Sequence, residues 1–230
     1  MKEILSDSVF FGVAVSIAGY ELGIFLKKKC KTPLMNPLLV AILFVIAVLL
    51  LFRIDYADYY EGAKYLSYFL TPATVCLAIP LYRQINLLKQ YRMAIAGGIC
   101  SGVLASLCSV LILCKLFSFS HEQYVTLLPK SITTAIGMGV ADKLGGIVTI
   151  AVISIILTGI LGNILAEIVF RLFRIEEPIA KGLALGTSAH AIGTAKAMEL
   201  GEVEGAMSSL SIVVAGLITV VGASVFANFM

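Results

Sequence analysis

LALGTSAHAIGTAKAMELG, Leu183 to Gly201, is the stretch on which the reading of this chain turns. It is polar and punctuated by glycine, with one histidine, one lysine and one glutamate, yet it lies among long oily segments and has no clean apolar face. An echo lies at Leu127 to Gly146, LLPKSITTAIGMGVADKLGG, and a fainter one at Leu70 to Tyr82, LTPATVCLAIPLY. All three share a hydroxyl residue, three variable positions, then Ala-Ile and a helix breaker: Thr74 to Pro80, Ser131 to Gly137, Thr187 to Gly193. Polar tracts at regular spacing inside a membrane protein point to a translocation path.

The surroundings are those of a membrane protein. The 230 residues are 60% hydrophobic and 13% charged, with a mean hydropathy of +1.01, well outside the soluble range. Apolar runs at Ser8 to Leu26, Pro37 to Phe52, Met93 to Leu116, Ile147 to Phe170 and Gly205 to Phe229 read as spans. Tyr65 to Tyr82 makes a sixth, interrupted by Pro72 and Pro80. Only short loops remain, so residues 1–230 are expected to form a single integral membrane domain. The first run is not expected to be a cleaved signal peptide, because MKEILSDS is weakly charged and the run ends in KKKCK. Five cysteines without a C-x-x-C pair read as small core hydrophobes. The net charge of +3 sits beside spans, which argues against a nucleic-acid partner.

Loop charges give an orientation. Lys27, Lys28, Lys29 and Lys31 follow the first span, Arg83, Lys89 and Arg92 the third, and Arg171, Arg174 and Lys181 the fifth. The connection after the second span has Arg53 among Asp55, Asp58 and Glu61, and SFSHEQ after the fourth has neither Lys nor Arg. The positive-inside rule makes the basic loops cytoplasmic and places both termini outside. That bookkeeping closes only if Leu127 to Gly146 enters and leaves from outside and Leu183 to Gly201 from the cytoplasm. The expected fold is therefore an all-α polytopic membrane protein: about six full transmembrane helices plus two opposed re-entrant or broken-helix hairpins related by inverted topology. Irregular backbone at that depth needs protein or water around it.

The tracts hold the candidate site. Lys130 follows Pro129 and precedes Ser131, Thr133 and Thr134, near the start of a short helix whose exposed N–H groups favour an anion. Its alternative is to snorkel to headgroups. His190, with Thr187, Ser188 and Thr194 around it, is either a proton-coupling or ligand-binding group or a histidine bonded to a backbone carbonyl. Lys196 and Glu199 are expected to pair at an interface, Asn163 to bridge helices, and Asn36-Pro37 to cap the second span. Thr74 is expected to sit on a kinked wall of the site. No catalytic motif, metal cluster or phosphate loop is visible, and neither enzyme activity nor a cofactor is expected.

At these residues the chain resembles the LrgB/CidB family of bacterial membrane proteins, known as antiholin-like or autolysis modulators. The resemblance is carried by MNPLLVAI at Met35 to Ile42, LTPATVCLAIPLY at Leu70 to Tyr82, LPKSITTAI at Leu128 to Ile136, and GTSAHAIGTAKAMELGEVEGAMSSL at Gly186 to Leu210. It implies one of two pictures: control of murein hydrolases and lysis with a small LrgA/CidA-like partner, or transport of small carboxylates, as in plant plastidial glycolate/glycerate translocators. The expectation from the residues is a carrier or facilitator for a small monocarboxylate such as pyruvate, glycolate or glycerate. It would bind at Thr74, Lys130, Ser131, Thr133, Thr134, Thr187, Ser188, His190 and Thr194, in a multi-pass protein of the bacterial cell (inner) membrane. The alternative is a holin/antiholin-like regulator acting through oligomeric contacts, and an unselective pore is a third reading. Small residues around Ile95 to Ser109 suit close packing within the protomer or in a homodimer.

Overall fold

The computed structural model describes residues 10–30 and 36–230, apart from the side chains at positions 70 and 74. Lys31 and Met35 fall outside the described residues, as does the side chain of Thr74. Among the described residues the regular elements are all helical. The chain divides into two compact units, Met1–Cys76 and Leu77–Met230.

The first unit holds α1 (Phe11–Cys30), α2 (Pro37–Phe52), α3 (Tyr56–Ser67) and α4 (Leu70–Cys76). Gly12, Gly19 and Gly23 share one face of α1 and let it approach Tyr59 and Ala63 of α3 and Ala41 and Pro37 of α2 at backbone distance. Asn36 caps α2, its Oδ1 accepting from the Leu38 N–H at 2.9 Å, with Pro37 in the first turn. The capping expected of Asn36-Pro37 is thus present.

The second unit runs α5 (Ala78–Arg83), α6 (Ile85–Gln90), α7 (Arg92–Leu116), α8 (His121–Leu127), α9 (Thr134–Lys143), α10 (Val148–Leu172), α11 (Pro178–Leu200) and α12 (Glu202–Phe226). On α7 the residues Ile95, Ile99, Val103, Leu107, Val110 and Cys114 recur every three or four positions and point inward. They pack with Tyr124, Leu128, Ile132, Leu183 and Met207 into one core. The outward faces of α7, α10 and α12 are apolar too: Ile112, Leu161 and Leu217 are all exposed. Apolar residues outside as well as inside are the pattern of helices that meet lipid.

Among the described residues four helical stretches are long and apolar enough to cross a membrane: Tyr56–Arg83, which takes in α3 to α5, then Arg92–Leu116, Val148–Leu172 and Glu202–Phe229. The sequence suggests six. Pro37–Phe52 is apolar but has 16 residues, about 24 Å at 1.5 Å each, short of a core about 30 Å thick. Phe11–Cys30 carries Glu21 and Lys27, Lys28 and Lys29 within its 20 residues. The cysteine reading also needs correcting, because only Cys114 is in the core. Cys30, Cys76, Cys100 and Cys108 are exposed, and all five are free thiols. Composition marked them as buried in apolar runs, but the outer face of such a run is apolar as well.

Candidate functional site

Both polar tracts fold back on themselves. In Leu127 to Gly146 the chain leaves α8, makes a tight turn through Leu128 to Thr133, and returns along α9. The ends are fastened by Thr126, whose hydroxyl accepts from the Ile147 N–H at 2.8 Å and donates to the Glu122 carbonyl at 2.7 Å. Gly145, at φ 78°, closes α9 in a left-handed conformation that suits glycine.

The second tract breaks α11 in the middle. Ala189 (φ −127°, ψ 15°) and His190 (φ 42°, ψ −132°) leave helical geometry. The contacts on α12 give the direction of each arm. Before the break Gly182 lies on Glu204 and Met207, and Gly186 on Ser208 and Ser211. After the break Thr194 reaches Ser208 and Gly205 lies on Met198. The first arm therefore climbs alongside α12 and the second descends, with the turn at His190. Gly193 rests on the Leu185 carbonyl and Ala189, packing the arms together.

The two turns converge on Ile155 of α10, which is wholly buried. Its side chain packs on Gly137 of the first tract, and its carbonyl accepts from Nε2–H of His190 of the second at 2.9 Å. Gly159, one turn further along, makes room for the imidazole: a β-carbon there would stand 2.7 Å from Cε1. Asn163 continues the seam, donating to the Ile192 carbonyl at 3.1 Å as the bridging role predicts. At the base Lys196 binds Glu167 at 2.6 Å and Glu199 at 3.3 Å, so the expected pair gains a second carboxylate from α10.

Helix α7 brings the tracts side by side. Gly98, Gly102 and Ser106 occupy successive turns of one face and meet Leu183, Thr187 and Ser131 in that order. Gly102 admits Thr187 so closely that a β-carbon would lie 2.7 Å from its hydroxyl oxygen. The Oγ atoms of Ser106 and Ser131 are 2.9 Å apart. Ser131 and Thr187 are the matching hydroxyl positions of the two echoes, now about 6 Å apart along α7.

Around them lies a cavity of about 1040 Å³. Lys130, Ser131, Thr187 and Ser188 line it, joined by Ser101, Ser106 and Ser109 of α7 and Thr158 of α10. Tyr91 and Glu177 also lie on its wall, and on α7 alone the lining extends from Ala94 to Ser109, about 22 Å at 1.5 Å per residue. The Lys130 ammonium donates to Ser131 Oγ at 3.2 Å and makes no ion pair among the described residues. A lysine at bilayer depth costs ~2.5–3.5 kcal/mol, so an anion beside it offsets a real penalty.

Of the expected ligand set, four side chains line this cavity and four do not. His190 faces α10, Thr194 hydrogen-bonds the His190 carbonyl and Ser208, Thr133 is the N-cap of α9, and Thr134 opens that helix. Thr74 belongs to the first unit. The hydroxyls of α7 and Thr158 were missed. Their signal is modest: Ser101, Ser106 and Ser109 fall on the small-residue face that reads first as packing.

The LrgB-like family model matches residues 16–229. The chain belongs to the LrgB-like family. An antiholin-like protein LrgB of Bacillus subtilis (strain 168) is 39% identical over 224 residues, covering 97% of each chain. Antiholin-like LrgB proteins of Bacillus cereus (strain B4264) and Bacillus anthracis (strain CDC 684 / NRRL 3495) are 38% identical over 222 residues, 96% of each chain. No solved structure matches this LrgB-like chain.

Proposed function

We propose that this chain is an antiholin-like protein of the bacterial cell membrane that works through a small-anion site, with a monocarboxylate of the pyruvate or glycolate kind as its ligand. The relatives' names fit a regulator of lysis better than a carrier, and they specify no substrate. What supports the anion is Lys130, a cation without a carboxylate partner among the described residues, in a cavity with Ser131, Thr187, Ser188 and Ser106. Ammonium and hydroxyl groups can donate to both oxygens of a carboxylate, and nothing in this set calls for catalysis. On this reading the two tracts are re-entrant hairpins entering from opposite faces, with the basic ends at Lys27 to Lys29, Arg83 to Arg92 and Arg171 to Lys181 in the cytoplasm. An LrgA/CidA-like subunit or a second copy covers the open side of the cavity.

The test combines two assays on the same variants. Purified protein in proteoliposomes, alone and with an LrgA-like partner, should take up labelled pyruvate or glycolate saturably, and Lys130→Ala should abolish uptake. A strain lacking the protein, complemented with the same variants, reports control of lysis. Loss of both functions in Lys130→Ala ties regulation to the anion site. Intact lysis control with no saturable flux in any preparation overturns the anion reading and leaves a regulator that acts by contact.

A further inference from the structure

A second cavity, of about 480 Å³, lies where α10 ends and α11 begins, away from Lys130. Arg171, Arg174 and Lys181 line it with Glu167 and Glu176. Its charges are not balanced. Glu167 is engaged by Lys196 at 2.6 Å and lies 3.7 Å from Arg171. Arg174 and Lys181 make no ion pair among the described residues.

The backbone holds Arg174 in an unusual place. The Ile175 N–H reaches the Phe170 carbonyl at 2.8 Å and the Arg174 N–H reaches Arg171 at 3.3 Å, the paired closure of a Schellman turn. Arg174 therefore occupies the left-handed position, φ 55°, where glycine is the common choice. A guanidinium is held at the rim of the cavity. Directly beside it Leu172 and Phe173 are 73% and 68% exposed, and Leu165, Ile168 and Val169 continue that apolar face down α10.

We infer that this cavity binds the phosphate of an anionic phospholipid. Arg174 and Lys181 take the phosphate and the acyl chains lie along Leu172, Ile168 and Leu165. A pocket whose three basic residues outnumber its two carboxylates, with Arg174 and Lys181 in no ion pair among the described residues and an apolar track leading from it, has the two-part shape of such a lipid. A free phosphate ion shares the head-group chemistry but has no use for the track.

Native mass spectrometry of the full chain in neutral detergent tests this. Phosphatidylglycerol should be retained and phosphatidylcholine lost, and Arg174→Gln or Lys181→Gln should each cut retention about fivefold, the size expected for one basic group near a charged surface. Lys115→Gln and Lys143→Gln, which remove equal charge elsewhere, should leave retention unchanged. Arg174→Lys and Lys181→Arg keep the charge and should keep the lipid, which separates loss of binding from loss of fold. Equal retention of the two lipids, or an equal effect of the control substitutions, overturns the inference. Displacement of phosphatidylglycerol by millimolar inorganic phosphate would reassign the site to a free oxyanion and overturn the lipid assignment.

Discussion

At the scale of single residues, His190 takes the second of the two roles its sequence context offers, a bond to a backbone carbonyl. It stands at φ 42°, a region costly for a residue with a β-carbon, and is held there by burial and by its bond to the Ile155 carbonyl. Removing the ring takes away this bond, worth about 0.5–1.5 kcal/mol, and the packing of the imidazole on Gly159, while the Ile155 carbonyl keeps its partner within α10. His190→Ala should therefore lower the thermal midpoint in detergent, and His190→Gly should lower it less, because glycine tolerates the backbone angle. Neither should change the affinity for the proposed monocarboxylate in the protein that remains folded, since the ring faces α10 rather than the cavity. A tenfold rise in KM with an unchanged midpoint would make His190 a ligand-contacting group after all. A histidine inside a polar tract set among oily segments is legible as important. Its direction is not, because that depends on Gly159, which lies on another helix.

At the scale of elements, the folding back of both tracts was legible from composition and the means of closing them was not. Pro129, Gly137, Gly145 and Gly146 mark the first tract as unfit for one continuous helix. The fastening comes from Thr126, just outside the tract and unremarkable in sequence. Thr126→Val keeps the volume and removes the acceptor for the Ile147 N–H, a loss of about 1–3 kcal/mol where the group is buried. Hydrogen exchange over residues 127–146 should then speed up while α12 stays protected. Unchanged exchange there would mean that packing of Gly137 on Ile155 closes the hairpin without the hydroxyl. The second tract has its own weak point in Gly102, where alanine would press on Thr187 and should reduce uptake by pushing the first arm of α11 off α7.

At the scale of the molecule, α10 sets the geometry. Its 25 residues extend about 37 Å, more than the roughly 30 Å of a bilayer core. The first tract is fastened at the Ile147 end, and the second begins past the Leu172 end. The far end of α12 agrees, since the Tyr124 hydroxyl donates to the Phe226 carbonyl at 2.8 Å while Glu202 opens that helix beside the second tract. The loop charges agree with hairpin bases at opposite ends of α10; of the six apolar runs, Pro37–Phe52 is short and Phe11–Cys30 is charged at its end, so four candidates meet the length and composition of a crossing helix among the described residues. If the opposition holds in the membrane, the bases of the two hairpins lie on opposite faces. In a cysteine-free background, Lys143→Cys should react with an impermeant maleimide from outside intact cells, and Arg174→Cys only after the membrane is opened. Labelling of both from one side would break the inverted pairing of the hairpins. Labelling from opposite sides would keep the opposed entry, with Lys130 and Ser131 on one hairpin and Thr187 on the other contributing to one cavity wall.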